Sequence, residues 1–153
     1  MIAIIGKSGV GKSTLAKFLH EDHGLRVGGT STYAFDNVIY PGLAYCYSSK
    51  QQCLMNKEND RHLWSALISQ YNHKDKGRLV KEMLEDYDVI EGIRKQEELD
   101  AVRDKFALII GLVRVGYNLL DPTFDIEIVR SSDIVFFSES VEDLKNLSKS
   151  IKI

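Results

Sequence analysis

Met1-Ile2-Ala3-Ile4-Ile5 runs directly into Gly6-Lys7-Ser8-Gly9-Val10-Gly11-Lys12-Ser13-Thr14, and these fourteen residues decide the fold. The second part fits G-x-x-x-x-G-K-[ST] at every fixed position. The spacing has a mechanical reason. Glycines let the backbone curl until successive N–H groups point into one concavity, the shape that a polyphosphate fills. Gly6, Ser8, Gly9, Val10 and Gly11 form that cradle. Lys12 is placed to reach the β- and γ-phosphates, Ser13 to ligate Mg²⁺ with its hydroxyl, and Thr14 to add a hydroxyl at the α-phosphate. The context agrees with a phosphate-binding loop: an apolar strand precedes it, and Leu15, Phe18 and Leu19 follow at helical spacing.

Outward from the loop, the chain reads as an alternation of strands and helices. The spacing predicts a helix over 12–22 stopped by His23-Gly24, and then a short strand at Leu25-Arg26-Val27. Residues 28–33 have loop composition. Asp36 is expected to cap a short apolar helix that Pro41-Gly42 interrupts, and 48–57 reads as polar and mobile. Asn59 or Asp60 caps a helix carrying Leu63, Trp64, Leu67, Ile68 and Tyr71. Asp75 caps the next, with Leu79, Val80, Met83 and Leu84 inward. Residues 87–91 read as a buried strand ending in an acid, 96–106 as a helix, and 107–113 and 134–137 as apolar strands. Ser140-Val141-Glu142-Asp143 caps a last helix with Leu144, Leu147 and Ile151 inward. Such alternation predicts a five-stranded parallel sheet covered on both faces, with ligands beyond the carboxyl ends of its strands.

Composition narrows the function. With 153 residues the chain is expected to form one domain, with the segment 116–130 resembling a lid. A net charge of −2 provides no broad basic field, which argues against nucleic acid as the main partner. Cys46 and Cys53 lack metal-site spacing and read as reduced thiols, and His20, His23, His62 and His73 lack ligand spacing. No stretch approaches the roughly 18–20 apolar residues of a membrane span, so the expected location is the cytoplasm. Monomer and homodimer both stay open.

The loop gives meaning to Glu91-Gly92-Ile93-Arg94. An acid at the end of a buried strand beside a phosphate loop suits Mg²⁺, directly or through water, with Asp88 as the rival acid. Gly92 permits close backbone approach, and the guanidinium of Arg94 suits a second phosphate. Trp64 and Tyr71, at helical spacing, read first as core and second as a stacking platform.

Residues 88–99, Asp-Val-Ile-Glu-Gly-Ile-Arg-Lys-Gln-Glu-Glu-Leu, resemble the strand and turn of nucleoside monophosphate kinases, where an acid, a glycine and an arginine precede a glutamine-containing helix. The overall similarity is greatest to the deoxynucleoside monophosphate kinases of tailed phages, and more distant to dephospho-coenzyme A kinases. It extends to Asp60-Arg61-His62-Leu63, to Val113-Arg114-Val115-Gly116 and to the last strand and helix. The resemblance implies a three-layer α/β/α P-loop kinase fold with a short acceptor-binding region and a small lid. It implies phosphoryl transfer from ATP, with Mg²⁺, to a (deoxy)nucleoside monophosphate, giving the diphosphate. Under it, Arg94 and Arg61 hold the acceptor phosphate, Asp36 and Gln96 join the acceptor pocket, and Glu91 with Ser13 supports the metal. The family's lid supplies several arginines; here Arg114 and Arg130 would share that role. Two other readings stand beside it: a P-loop kinase acting on a hydroxyl, with Asp36 as base, and a nucleotide-binding module without turnover.

Overall fold

A computed structural model describes residues 1–116 and 126–152. Five strands, β1 (Ile2–Ile5), β2 (Val27–Gly29), β3 (Val89–Glu91), β4 (Leu108–Arg114) and β5 (Ile134–Ser138), form one sheet in the order β2-β3-β1-β4-β5. Every pairing is parallel. The chain leaves β1 toward one edge of the sheet and leaves β3 toward the other. The carboxyl ends of β1 and β3 therefore flank the point where the strand order reverses, the position at which sheets of this kind open a crevice for ligands.

Side-chain alternation along the strands builds the layers. Ile2 and Ile4 of β1, with Ile110 and Leu112 of β4, pack against Leu15, Ala16 and Leu19 of α1 (Lys12–His23) and Leu144 and Leu147 of α9 (Val141–Ser150). Ala3, Ile5 and Ile109 face the other way. They meet Val80 and Met83 of α6 (Arg78–Met83), Leu99 of α7 (Gln96–Asp100), and Ile128 and Val129 of α8 (Glu127–Arg130). The result is a three-layer α/β/α fold. The sheet is less evenly covered than expected: on the edge strand β5, Ile134, Val135 and Phe137 are exposed.

A third apolar cluster, formed by Ala34, Phe35, Ile39, Leu43, Cys53, Trp64 and Leu79, lies in the helical region between β2 and β3. Here the structure departs most from expectation. The residues read as a loop begin with β2, two positions later than predicted, and continue as helix: α2 (Thr30–Ala34), a π turn over Phe35–Ile39, and α3 (Tyr40–Leu43). Gly28 belongs in the strand because the Tyr87 ring lies against it; a Cβ there would come within 2.6 Å of that ring. Pro41 does not break the helix. The preceding turn widens, so that the Tyr40 N–H bonds to the Phe35 carbonyl, relieving the crowding that a proline ring imposes on an α-helix. Within the stretch read as mobile lies α4 (Lys50–Met55), capped by Ser49, whose side chain accepts from the Gln52 amide. Asp60 precedes α5 (Arg61–Tyr71) without capping it through its side chain. Asp75 accepts from Gly77 N–H ahead of α6, and the helix predicted over 96–106 ends at Asp100 and gives way to a 3₁₀ turn at Arg103–Lys105. Ser140 and Asp143 form the reciprocal cap expected of them at the start of α9. No helix among the described residues is long and apolar enough to cross a membrane.

Candidate functional site

The glycine loop leaves β1 and re-enters α1 through backbone that favours glycine, with φ of 83° at Gly9 and 101° at Gly11. Lys12, at the first position of α1, donates from Nζ to the Lys7 carbonyl at 2.8 Å, so the ammonium folds back over the loop. The next residue, Ser13, donates its hydroxyl to the Glu91 carboxylate, 2.7 Å from one oxygen and 3.0 Å from the other. Residues 78 positions apart thus meet because β1 and β3 are neighbours in register, Ile4 opposite Glu91. Gly29, ending β2, lies beside Glu91 in the sheet, and a Cβ there would be in ordinary contact with the nearer carboxylate oxygen, at 3.4 Å.

A cleft of about 430 Å³ covers this loop, lined by Ser8, Gly9, Gly11, Lys12, Ser13 and Thr14 and closed on the far side by Thr30, Glu91 and Arg94. Hydroxyl and carboxylate oxygens converging at a loop of N–H groups suit Mg²⁺ held partly by a ligand's phosphates, since that ion keeps several waters and needs few protein donors. Among the described residues no cluster of three histidines, cysteines or acids offers a dedicated metal cage.

Beyond Gly92 the chain turns sharply. Gly92 has φ of 97°, and its carbonyl accepts from the Thr30 hydroxyl at 2.9 Å. The turn delivers Arg94 to the wall between the first cleft and a second, narrower cavity of about 120 Å³. The second cavity runs from Ser8, Thr30 and Gly92 to Trp64, Ile68 and Leu79, and Lys57, Arg61, Arg94 and Lys95 supply its positive charge. Its acids are Glu58, ion-paired with Arg61 at 2.8 Å, and Glu98. Burial pushes the Glu98 carboxyl above its ordinary range, against the pull of the Lys95 charge and of hydrogen bonds from the backbone of Arg94 and Lys95 and the side chain of Asn72. Asn72 is itself buried and accepts from the Leu79 amide, so the floor of the cavity is a connected polar network.

The structure sorts the residues singled out from sequence. Residues 8–14 of the loop surround the first cleft, apart from Val10, which is buried beneath it. Glu91 meets Ser13, and Arg61 and Arg94 line the second cavity. Gln96 does not line either space: its amide donates to Asp100 and its carbonyl accepts from Ser131, which turns it toward α8. Asp36 is also outside both. It pairs with Lys50 at 2.6 Å and lines two neighbouring grooves, one shared with Ser13 and Glu91 and the other with Lys57. Asp88 is a structural acid at the opposite end of β3. Two bonds from the Arg26 guanidinium and one from its amide hold its carboxyl down at about 2. Trp64 is core, with only 4% of its surface exposed and its ring stacked on Phe35 at 5.3 Å. Tyr71 packs under the Arg78 guanidinium and donates to Glu82.

Arg114 ends β4, exposed, on the same edge of the sheet as the loop. Arg130 is exposed on α8 and paired with Glu127 at 2.9 Å. Most of the lid-like segment 116–130 lies outside the described residues. Sequence reading missed Lys57, Lys95, Glu98 and the Thr30-Ser31 pair. Only adjacency to Arg94 pointed to Lys95, and nothing local marked the others, which reach the site through the packing of the third cluster.

No family model matches the chain, and no curated protein does. Among solved structures, an unliganded sugar kinase from Janibacter sp. HTCC2649 aligns over 96% of this chain and 90% of its own, with a TM-score of 0.44 and 12% sequence identity.

Proposed function

We propose that the protein transfers the γ-phosphoryl group of ATP to the phosphate of a nucleoside or deoxynucleoside monophosphate. One observation carries this reading: two cavities at the switch point share a wall that includes Arg94, one built on the glycine loop and the Ser13–Glu91 pair, the other on Arg61, Lys95 and a buried polar floor. The arrangement suits two phosphate-bearing molecules meeting head to head.

In this reading the amides of residues 8–14 and the Lys12 ammonium hold the β- and γ-phosphates of ATP. Ser13 and Glu91 would hold Mg²⁺, which would supply positive charge against the phosphates. Arg94 and Arg61 fix the acceptor phosphate in line. An acceptor oxygen forms a bond to the γ-phosphorus as the bond to the β,γ-bridging oxygen breaks, and the electron pair of that bond leaves on ADP. The acceptor is already an oxyanion, so no general base is required; positioning and charge neutralisation carry the rate. Asp36, outside both cavities and paired with Lys50, has no role in this reading.

Arg94→Ala tests the assignment. Removing a charged donor of this kind costs about 100-fold in turnover or acceptor kcat/KM. Steady-state kinetics are expected to show that loss while calorimetry finds MgATP affinity little changed. Wild-type kinetics in Arg94→Ala would contradict it.

A further inference from the structure

Lys57 is the other cation on the wall between the two cavities. It sits in the turn between α4 and α5, half-buried, with its ammonium 5.5 Å from the centroid of the Trp64 ring. Among the described residues that ammonium makes no ion pair. The turn beneath it is braced: the Lys57 amide bonds to the Leu54 carbonyl, the Asp60 amide to the Asn56 carbonyl, and the Tyr47 hydroxyl to the Asp60 carboxylate. Burial lowers the Lys57 pKa first and the neighbouring Arg94 charge second; Arg61 adds to the lowering and Glu58 opposes it. The half-buried ammonium thus sits beside two guanidinium groups and one carboxylate, a local excess of positive charge that suits a phosphate.

We propose that Lys57 is a catalytic residue, its ammonium contacting the phosphoryl group in flight between donor and acceptor. The inference rests on the phosphoryl-transfer reading above and deepens it by naming the group that bridges the two subsites. In transit between the two cavities the transferring group's charge is spread over its three equatorial oxygens. Lys57 lines both, whereas Lys12 lines only the first and Arg61 only the second. An ammonium swung from the Trp64 ring toward the boundary between the cavities would interact more strongly with the transition state than with either bound nucleotide, the condition for raising kcat. The ammonium stays protonated throughout: it supplies charge, and the electrons move as described, from acceptor oxygen to phosphorus and from the broken bond to ADP.

The experiment compares Lys57→Met, which keeps the aliphatic stem against Trp64 and removes the charge, with Lys57→Arg, which keeps the charge. MgATP with a panel of nucleoside monophosphates serves as substrate, and calorimetry measures MgATP binding. Lys57→Met is expected to lose about 100-fold or more in kcat, with MgATP affinity and melting temperature near wild type, and Lys57→Arg to recover at least a tenth of the activity. A wild-type kcat in Lys57→Met, or a rise in acceptor KM alone, would overturn the role while leaving the parent reading intact. A wild-type protein that forms no diphosphate from any monophosphate would overturn the parent reading, and the role of Lys57 with it.

Discussion

Gly92 shows how one residue places the chemistry. Its left-handed φ of 97° turns the chain out of β3 immediately after Glu91, so that the acid stays at the loop while Arg94 reaches the wall of the second cavity. A Cβ at this position would fall 2.7 Å from the Thr30 hydroxyl oxygen, which itself donates to the Gly92 carbonyl. Gly92→Ala therefore incurs both the conformational penalty, about 1–2 kcal/mol for an L-residue in this region, and a clash with Thr30. Urea denaturation is expected to show a loss of at least that size, and undiminished stability would contradict the turn as described. Glu91 and Arg94 were legible in sequence because strand, acid, glycine and arginine are consecutive and the loop that explains them is a complete motif. Lys57 was not, because what brings it to the wall is the stacking of Phe35 on Trp64 and the bracing of Asp60 by Tyr47, contacts between residues far apart in the chain.

At the scale of elements, β1, the loop and α1 could be read directly, as could the cap of α9, since each rests on neighbours within four residues. The second strand and the helices that follow could not. Glycine, threonine and serine over 28–32 have the composition of a loop, and only the ring of Tyr87 across the sheet makes Gly28 a strand residue. The same junction carries the Arg26–Asp88 pair, which ties the entry of β2 to that of β3. Its pH dependence follows from the direction of the shift. The Arg26 side chain first, and its amide second, hold the Asp88 carboxyl at about 2, below its ordinary 3.8. A carboxyl depressed by folding adds stability above its unfolded pKa and loses it as pH falls through the folded one. The melting temperature is thus expected to fall more steeply between pH 5 and pH 2 in wild type than in Asp88→Asn, where this contribution is missing throughout. Parallel curves for the two proteins would show that the pair does not couple to folding.

For the molecule as a whole, the net charge of −2 conceals a local field. Lys57, Arg61, Arg94 and Lys95 gather on one cavity beside the loop at the carboxyl edge of the sheet. Under the proposed function these cations would serve small phosphorylated ligands, whereas binding to long polyanions rests on extended basic surfaces. Exchange of a phosphoryl group between the two cavities is read by incubating the protein with MgATP and each ribo- and deoxyribonucleoside monophosphate in turn, then separating and quantifying ADP and nucleoside diphosphates. Diphosphate formed from one or a few monophosphates, in equal amount to ADP and lost in Lys12→Ala, is the predicted result. MgATP that binds while every monophosphate is returned unchanged would contradict it.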